Sequence, residues 1–403
     1  MMRRAQLSMP EPLRRAGAEL AAPCAIIDLD EFDKNIAAIA RRAAGTPVRV
    51  ASKSLRTNAA IERVLEHPGF HGVLAFTLPE AIMLVGRGHR DVVLGYPVTD
   101  APALRELRAD ALLRRSITLM VDSVDQLDYI ETVAPGRGHL RVAIEVDASW
   151  RPAERLTHGA VHVGVRRSTV RTPEQAAVLA RSIRARPRFK LVGLMAYEAQ
   201  VAGLADGDLT VHGAATRMMR RRSIVEIAAR RAAVVEAVRA EVGELEFVNG
   251  GGTGSIESTV AEASVTEVAV GSGLFAPVTF DRYVAFRHRA SAYFGLDVVR
   301  KPADDIATLH GGGWVASGVP GDDRLPTIEW PEGLQFTALE AAGEVQSPVH
   351  GPAARGLQVG DRVWLRHAKA GELAERVSEF AVITSGRIDT FWPTYRGEGL
   401  AFL

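Results

Sequence analysis

Apolar and polar positions follow two rhythms along this chain. From Cys24 to Gly271, short apolar runs of strand length alternate with stretches whose apolar residues recur every three or four positions, the spacing of one helical face. Cys24 to Asp28 reads as the first strand. Leu29 to Ala44 then places Leu29, Phe32, Ile36 and Ile39 at helical spacing. The Val48 run follows, and after it the strand candidates are Gly72–Phe76, Asp91–Gly95, Ser116–Val121, Leu140–Asp147, Lys190–Tyr197, Leu245–Asn249 and Thr266–Gly271. Helical patterns separate them at Pro79–Gly86, Ala101–Leu113, Ser123–Val133, Pro173–Arg186 and Ala214–Val242. Two gaps are wider: the arginine-rich stretch Ala148–Thr172, and Gln200–His212 before a long basic helix.

Counting the Val48 run, eight strands alternate with helices. With right-handed crossovers, that pattern predicts an α/β fold, a TIM-like (β/α)₈ barrel; a doubly wound open sheet is the runner-up. After Arg282 the texture changes to short strands, glycines and turn signals, as in G-G-G-W at Gly311, G-V-P-G-D-D at Gly318 and V-G-D-R-V-W-L at Val359. Residues 1–22 are expected to form an N-terminal arm, 23–282 the barrel, and 283–403 a β-rich C-terminal domain that the Cys24 strand joins.

Composition narrows the class without changing the fold. Apolar residues make up 47% of the 403, charged ones 24%, and the net charge is +1. Nucleic acid and anionic membranes both select clustered positive charge, so neither is expected as the main partner. No apolar run approaches the ~18 residues of a membrane helix, and Met1-Met2-Arg3-Arg4 lacks the apolar core of a signal peptide. The single cysteine, Cys24, excludes an intrachain disulfide and a cysteine-rich metal site. A cytoplasmic location is expected.

Candidate chemistry gathers at strand ends. V-R-V-A-S-K-S-L-R (Val48 to Arg56) delivers an amine, Lys53, to the carboxyl end of the first barrel strand, where a barrel's active site lies. The seventh strand runs into N-G-G-G-T-G-S (Asn249 to Ser255) and the eighth into G-S-G (Gly271 to Gly273). Glycines permit positive φ, so successive N–H groups can converge on a phosphate, with Thr253 and Ser255 adding hydroxyls. No lysine follows the glycines, so this is not a Walker loop. A phosphorylated aldehyde would satisfy amine and cup together. Pyridoxal 5′-phosphate is the candidate, held through a Schiff base.

These motifs, with E-V-D at Glu145, R-R-S-T-V-R-T-P-E-Q at Arg166, A-Y-E at Ala196 and T-E-V-A-V-G-S at Thr266, occur in an order that resembles the alanine racemase-like, fold type III family of pyridoxal phosphate enzymes. The likeness is to the branch containing D-threonine aldolase, D-serine dehydratase and amino acid deaminase proteins. It implies that Lys53 is the Schiff-base lysine and a base at the substrate Cα. It implies that Arg167 faces the pyridine nitrogen, that Tyr197 lies beside the cofactor, and that Gly251, Gly252, Thr253, Ser272 and Gly273 hold the phosphate. A homodimer is implied too.

One departure bears on the reaction. That branch holds a divalent metal with a histidine and, two residues on, a cysteine or aspartate. Here G-D-R-V-W-L-R-H leads to His367, but the second position is Lys369, and an ammonium repels a dication. Glu372 offers a substitute oxygen ligand, yet a divalent metal is the less favoured expectation. His367 and Lys369 are instead candidate catalytic groups, acting on the substrate carboxylate or as a second acid–base pair. The expected function is a lyase, an aldolase or a deaminase/dehydratase, acting on a small D-amino acid or β-hydroxy amino acid. The alternatives are an amino acid racemase, which needs only two opposed bases, and a pyridoxal phosphate-binding protein without turnover.

Overall fold

A computed structural model describes residues 9–152, 154, 160–207, 210–319 and 321–403. The chain forms two compact units. One holds residues 39–53, 64–271 and 402–403; the other holds the chain up to Ala38, residues 54–63 and 272–401.

The first strand, β1 (Cys24–Asp28), belongs to the second unit. The first unit is a closed parallel barrel of β2 (Val48–Ala51), β3 (Phe70–Ala75), β4 (Val92–Leu94), β5 (Ile117–Val121), β6 (Leu140–Glu145), β7 (Phe189–Ala196), β8 (Phe247–Gly250) and β9 (Glu267–Val270). Closure is the pairing of β2 with β9, Val48 opposite Val268 and Val50 opposite Val270. The strands are buried apolar runs because helices cover a parallel barrel from outside while side chains fill it from within. Val93, Met120, Ala143, Val192, Met195 and Phe247 form one buried cluster. Gly193 makes room for Phe247: a Cβ there would sit 2.4 Å from the ring.

Helix boundaries follow capping chemistry. Ser123 accepts from the Gln126 N–H at 3.3 Å, and Thr172 and Gln175 form a reciprocal capping box. The expected helix Ala101–Leu113 is in fact two, Ala101–Ala109 and Ala111–Ser116. Asp110 makes the break. Its backbone is extended (φ −94°, ψ 125°), and its carboxylate accepts from the Leu112 and Leu113 N–H groups, which caps the second helix. The arginine-rich loop is tied at its root, where Asp147 accepts from the Ser149 N–H (2.7 Å) and from Arg151 (2.5 Å). Among the described residues no helix is long and apolar enough to cross a membrane.

The second unit is a mixed nine-stranded sheet. It contains β1 with β10 (Ala292–Ala303), β11 (Ile306–His310), β12 (Thr327–Trp330), β13 (Gln335–Phe336), β14 (Gln346–His350), β15 (Arg362–Arg366), β16 (Glu379–Thr384) and β17 (Arg387–Pro393). β1 lies between β10, antiparallel, and β16, parallel. Met9 and Leu13 enter the sheet's apolar core with Ile26, Tyr293, Trp364 and Ile383, so the start of the chain is packed from residue 9.

The amino-terminal layer of the barrel is ionic. Arg49, 2% exposed, donates to both oxygens of Glu267 at 2.7 and 2.8 Å and to Asp91 at 2.9 Å. His71 Nε2 (2.9 Å) and Asn249 Nδ2 (2.8 Å) also donate to Glu267. Burial alone would raise the Glu267 carboxyl. The hydrogen bonds from His71 and Arg49, with the Arg49 charge and Asn249, outweigh it and hold the group at about 2. A folded value below the ordinary 4.5 means the stabilisation is present above that pH and is lost as pH falls from 4.5 towards 2. Glu267→Gln leaves Arg49 buried beside only Asp91 and is expected to cost about 3 kcal/mol at neutral pH. Urea unfolding at pH 7 and pH 3 checks this: the wild type's advantage over the variant should shrink by about half at the lower pH.

Candidate active site

β2 ends in a single 3₁₀ turn, Ser52–Ser54. Ser52 is fully buried, and its Oγ donates to the Leu74 carbonyl at 3.1 Å, tying the end of β2 to β3. That anchor leaves Lys53 exposed at the carboxyl mouth of the barrel, where its Nζ donates to Tyr96 Oη at 2.7 Å. Tyr96 follows β4 directly. Lys53 Nζ lies 5.2 Å from its ring centroid, and the Arg167 guanidinium carbon 5.6 Å. One aromatic face thus holds two cations at the mouth. Of the adjacent pair Arg166 and Arg167, it is Arg167 that makes this contact.

Two more groups respond to the same arginine. Glu145, at the end of β6, is pushed up to about 7 by burial; Arg167 opposes the shift, and Asp122 and Asp147 add to it. Tyr197, just past β7, is pushed up to about 12 by burial and by the neighbouring Glu198 carboxylate, again with Arg167 opposing. Lys53, Tyr96, Glu145, Arg167 and Tyr197 therefore share the carboxyl end of one barrel, although they come from four strand ends, Glu145 and Arg167 both following β6.

The glycine loop after β8 is organised by a residue the motif did not contain. Glu198, 3% exposed, accepts from the Gly251 N–H (3.2 Å), Ser255 Oγ (2.8 Å), Thr259 Oγ1 (2.6 Å) and Arg231 Nη2 (2.6 Å). Arg231, also 3% exposed, continues to Glu262 and to the Ala196 carbonyl. The Gly252 N–H donates to Ser255 Oγ at 3.1 Å, so Ser255 serves the loop itself. Gly251 has φ +75°, and a Cβ on Gly252 would come within 3.1 Å of the Tyr197 ring. The loop thus sits directly against Tyr197. Thr253 is buried, and its carbonyl accepts from Arg42 at 2.7 Å.

Ser272 opens a short helix, Ser272–Phe275, immediately after β9, with Gly273 buried inside it. The turn is pinned at the Leu274 carbonyl, which accepts from Asn35 Nδ2 and Ser291 Oγ, both at 2.9 Å.

His367 and Lys369 lie in the β-rich unit, beyond β15. His367 is 2% exposed, stands edge-on to Phe275 at 6.4 Å, and has no hydrogen-bond partner at either ring nitrogen among the described residues. Burial, then the charge of Arg366, pushes it down to about 3, so its imidazole is neutral at pH 7. Lys369 is exposed and donates to the Ser317 carbonyl at 3.4 Å. One oxygen of Glu372 accepts from the Ser317 N–H at 3.0 Å, and the other is buried without a partner. Orphaned atoms on His367 and Glu372 are donors of the right chemistry for a cation. Among the described residues no three His, Cys, Asp or Glu side chains form a group that could hold a metal ion.

Sequence reasoning missed Tyr96, Glu198 and Arg231. Tyr96 carried a signal, an aromatic in G-Y-P at a strand's carboxyl end. Glu198 stood in the A-Y-E motif with no role assigned, and Arg231, deep in the helix Val211–Val242, carried no signal, because their pairing spans 33 residues.

Residues 27–277 match the family described as "Alanine racemase, N-terminal domain", and the chain belongs to that family. A 3-hydroxy-D-aspartate aldolase of Paracoccus denitrificans (strain Pd 1222) is 22% identical over 393 residues, covering 95% of this chain and 94% of that one. A D-threonine aldolase of Arthrobacter sp. is 25% identical over 351 residues, covering 83% and 82%. Among solved structures, D-threonine aldolase from Filomicrobium marinum superposes with a TM-score of 0.77 at 20% identity, over 94% of this chain and 96% of that one. That likeness carries the fold, a closed eight-stranded barrel with a separate β-rich sheet.

Glu198→Ala removes the acceptor for four donors and leaves Arg231 buried with Glu262 alone. The expected cost is about 3 kcal/mol, read as a lower urea midpoint at pH 7, whereas exposed Glu257→Ala should move it by less than about 1 kcal/mol.

Proposed function

We propose that this chain is a pyridoxal 5′-phosphate-dependent lyase that cleaves or dehydrates a small D-configured β-hydroxy amino acid. The carrying observation is the Lys53 amine, exposed at the carboxyl mouth of the barrel and hydrogen-bonded to Tyr96 at 2.7 Å. The aldolase relatives support the choice of lyase and of D-amino acids.

The residues present fit the cofactor. Lys53 offers an accessible amine for its aldehyde carbon. The Gly251–Gly252 backbone, packed on Tyr197 where a Cβ would collide, admits close approach of a flat ring and its phosphate. Thr253, Ser272 and Gly273 would donate to the phosphate, Gly251 and Gly252, whose N–H groups are spent on Glu198 and Ser255, would line it by close approach, and Tyr197 would flank the ring. When bound, pyridoxal 5′-phosphate supplies an electron-withdrawing ring that stabilises negative charge at the substrate Cα.

Each residue then has a task. Tyr96 aims the Lys53 amine and would hold it in place to move a proton at the substrate Cα. Arg167 would face the pyridine nitrogen. A guanidinium there would offer the ring nitrogen a hydrogen bond rather than a transferable proton. Cleavage between Cα and Cβ requires a β-hydroxyl to lose its proton as the carbon–carbon bond breaks. His367, as a neutral imidazole, and Lys369 are the proposed groups for that proton and for the substrate carboxylate. The same reading takes 23–282 as the cofactor-binding barrel, 283–403 as its partner domain, and the assembly as a cytoplasmic homodimer.

Purified protein supplied with the cofactor should be yellow and should release glycine and an aldehyde, or ammonia and a keto acid, from D-threonine or 3-hydroxy-D-aspartate. Lys53→Ala should be colourless and at least about a thousandfold slower. Tyr96→Phe should keep its colour and lose about tenfold in kcat, since it removes one orienting hydrogen bond. A colourless wild-type protein sinks the cofactor reading. Deuterium entering Cα from solvent with no other product would convert the lyase into a racemase.

A further inference from the structure

We propose that the amino-terminal face of the barrel carries a second site, for a small molecule bearing a di- or triphosphate, built by Arg105, Arg108, Arg114 and Arg137. These four line one pocket of about 520 Å³ with the Pro135–Gly136 turn, and no acidic side chain is among the lining residues. The pocket lies where the helices Ala101–Ala109 and Ala111–Ser116 end and the chain enters β6. That is the face opposite the strand carboxyl ends, so the site is separate from the one around Lys53.

Arg108 is the observation that points to a ligand. It is only 4% exposed, and two of its nitrogens are satisfied by backbone: Nε donates to the Ala134 carbonyl at 3.1 Å and Nη1 to the Gly138 carbonyl at 2.8 Å. Its Nη2 is buried without a hydrogen-bond partner, and Arg108 is among the residues that line the pocket. Burial, and after it the charges of Arg188 and Arg114, push its pKa down; Glu131 opposes them. Among the described residues none of the four arginines forms an ion pair. The loop is shaped to press them together: Gly136 has φ +159° and would place a Cβ 2.9 Å from Arg108, and Gly138, at φ +79°, would place one 3.0 Å from Arg114.

Helix capping explains part of this. Arg105 reaches the Val133 carbonyl at 3.4 Å and Arg114 the Arg108 carbonyl, so these side chains cover helix ends. A helix carboxyl end offers about half a negative charge, too little for four guanidiniums. A buried guanidinium with an unused N–H pair is costly until an anion arrives. Guanidinium forks match phosphate oxygens two at a time, and the volume falls in the small-ligand range. A pyrophosphate group would meet several forks at once.

The test uses the full chain, loaded with pyridoxal 5′-phosphate and desalted, titrated calorimetrically with pyrophosphate and, separately, with sodium chloride at equal ionic strength. Arg105 and Arg137 are both exposed, so Arg105→Gln/Arg137→Gln should fold. Pyrophosphate should bind the wild type, and the double variant about tenfold or more weakly, with catalytic activity unchanged. Equal affinity in the two proteins, or heat reproduced by sodium chloride, overturns the site. Tighter binding of a short DNA duplex than of pyrophosphate overturns the small-molecule assignment.

Discussion

The pairing of β2 with β9 is the constraint on which the barrel depends. A sheet of eight parallel strands has two edges until it closes, and closure here coincides with a buried ion pair. Arg49 from β2 and Glu267 from β9 meet through two hydrogen bonds while almost wholly removed from water. Such a pair is poor as a net source of stability, because desolvating both charges consumes most of what their attraction returns. It is strong as a specification of register, since any slip would leave two buried charges unmatched. Holding β2 in register also sets where the chain emerges four residues later, at Lys53.

A second buried charge plays the corresponding part for the glycine loop. Glycines make the conformation at Gly251 accessible, yet they also make it unspecific, because a glycine-rich chain has many conformations to lose. Glu198 removes that freedom by accepting from Gly251, Ser255 and Thr259 together, with Arg231 as its counter-charge. Flexibility in sequence and rigidity in structure are thus reconciled by one carboxylate. The opposite face of the barrel shows the reverse condition. There Arg105, Arg108, Arg114 and Arg137 are gathered around a pocket with no acidic side chain among its lining residues.

Much of the fold was readable from local pattern. The eight barrel strands lie within a few residues of the expected runs, because fully buried parallel strands print continuous apolar segments. Where the reading failed, a single polar side chain was responsible: Asp110 turned one expected helix into two by capping its second half. The site was legible where a residue type advertised its chemistry, as with Lys53 between two serines at a strand end. It was illegible where the chemistry arose from meeting. The 2.7 Å contact of Lys53 with Tyr96, the seating of Arg167 on the same ring, and the rise of Glu145 to about 7 depend on residues from separate strand ends.

By itself, then, the sequence determined the alternation of strand and helix, the β-rich texture after Arg282, and the delivery of an amine and a glycine loop to strand ends. Those are consequences of period, propensity and turn chemistry, which act over a few residues. Tertiary structure alone decided that β1 sits between β10 and β16, hundreds of residues away in the chain, and that Arg49 closes on Glu267. It alone decided that Glu198 governs the glycine loop and that His367 is sealed from water as a neutral imidazole. The physical reason is common to all four. Strand neighbours, buried charges and desolvation are set by what the folded chain brings within a few ångströms, and no local pattern encodes that distance.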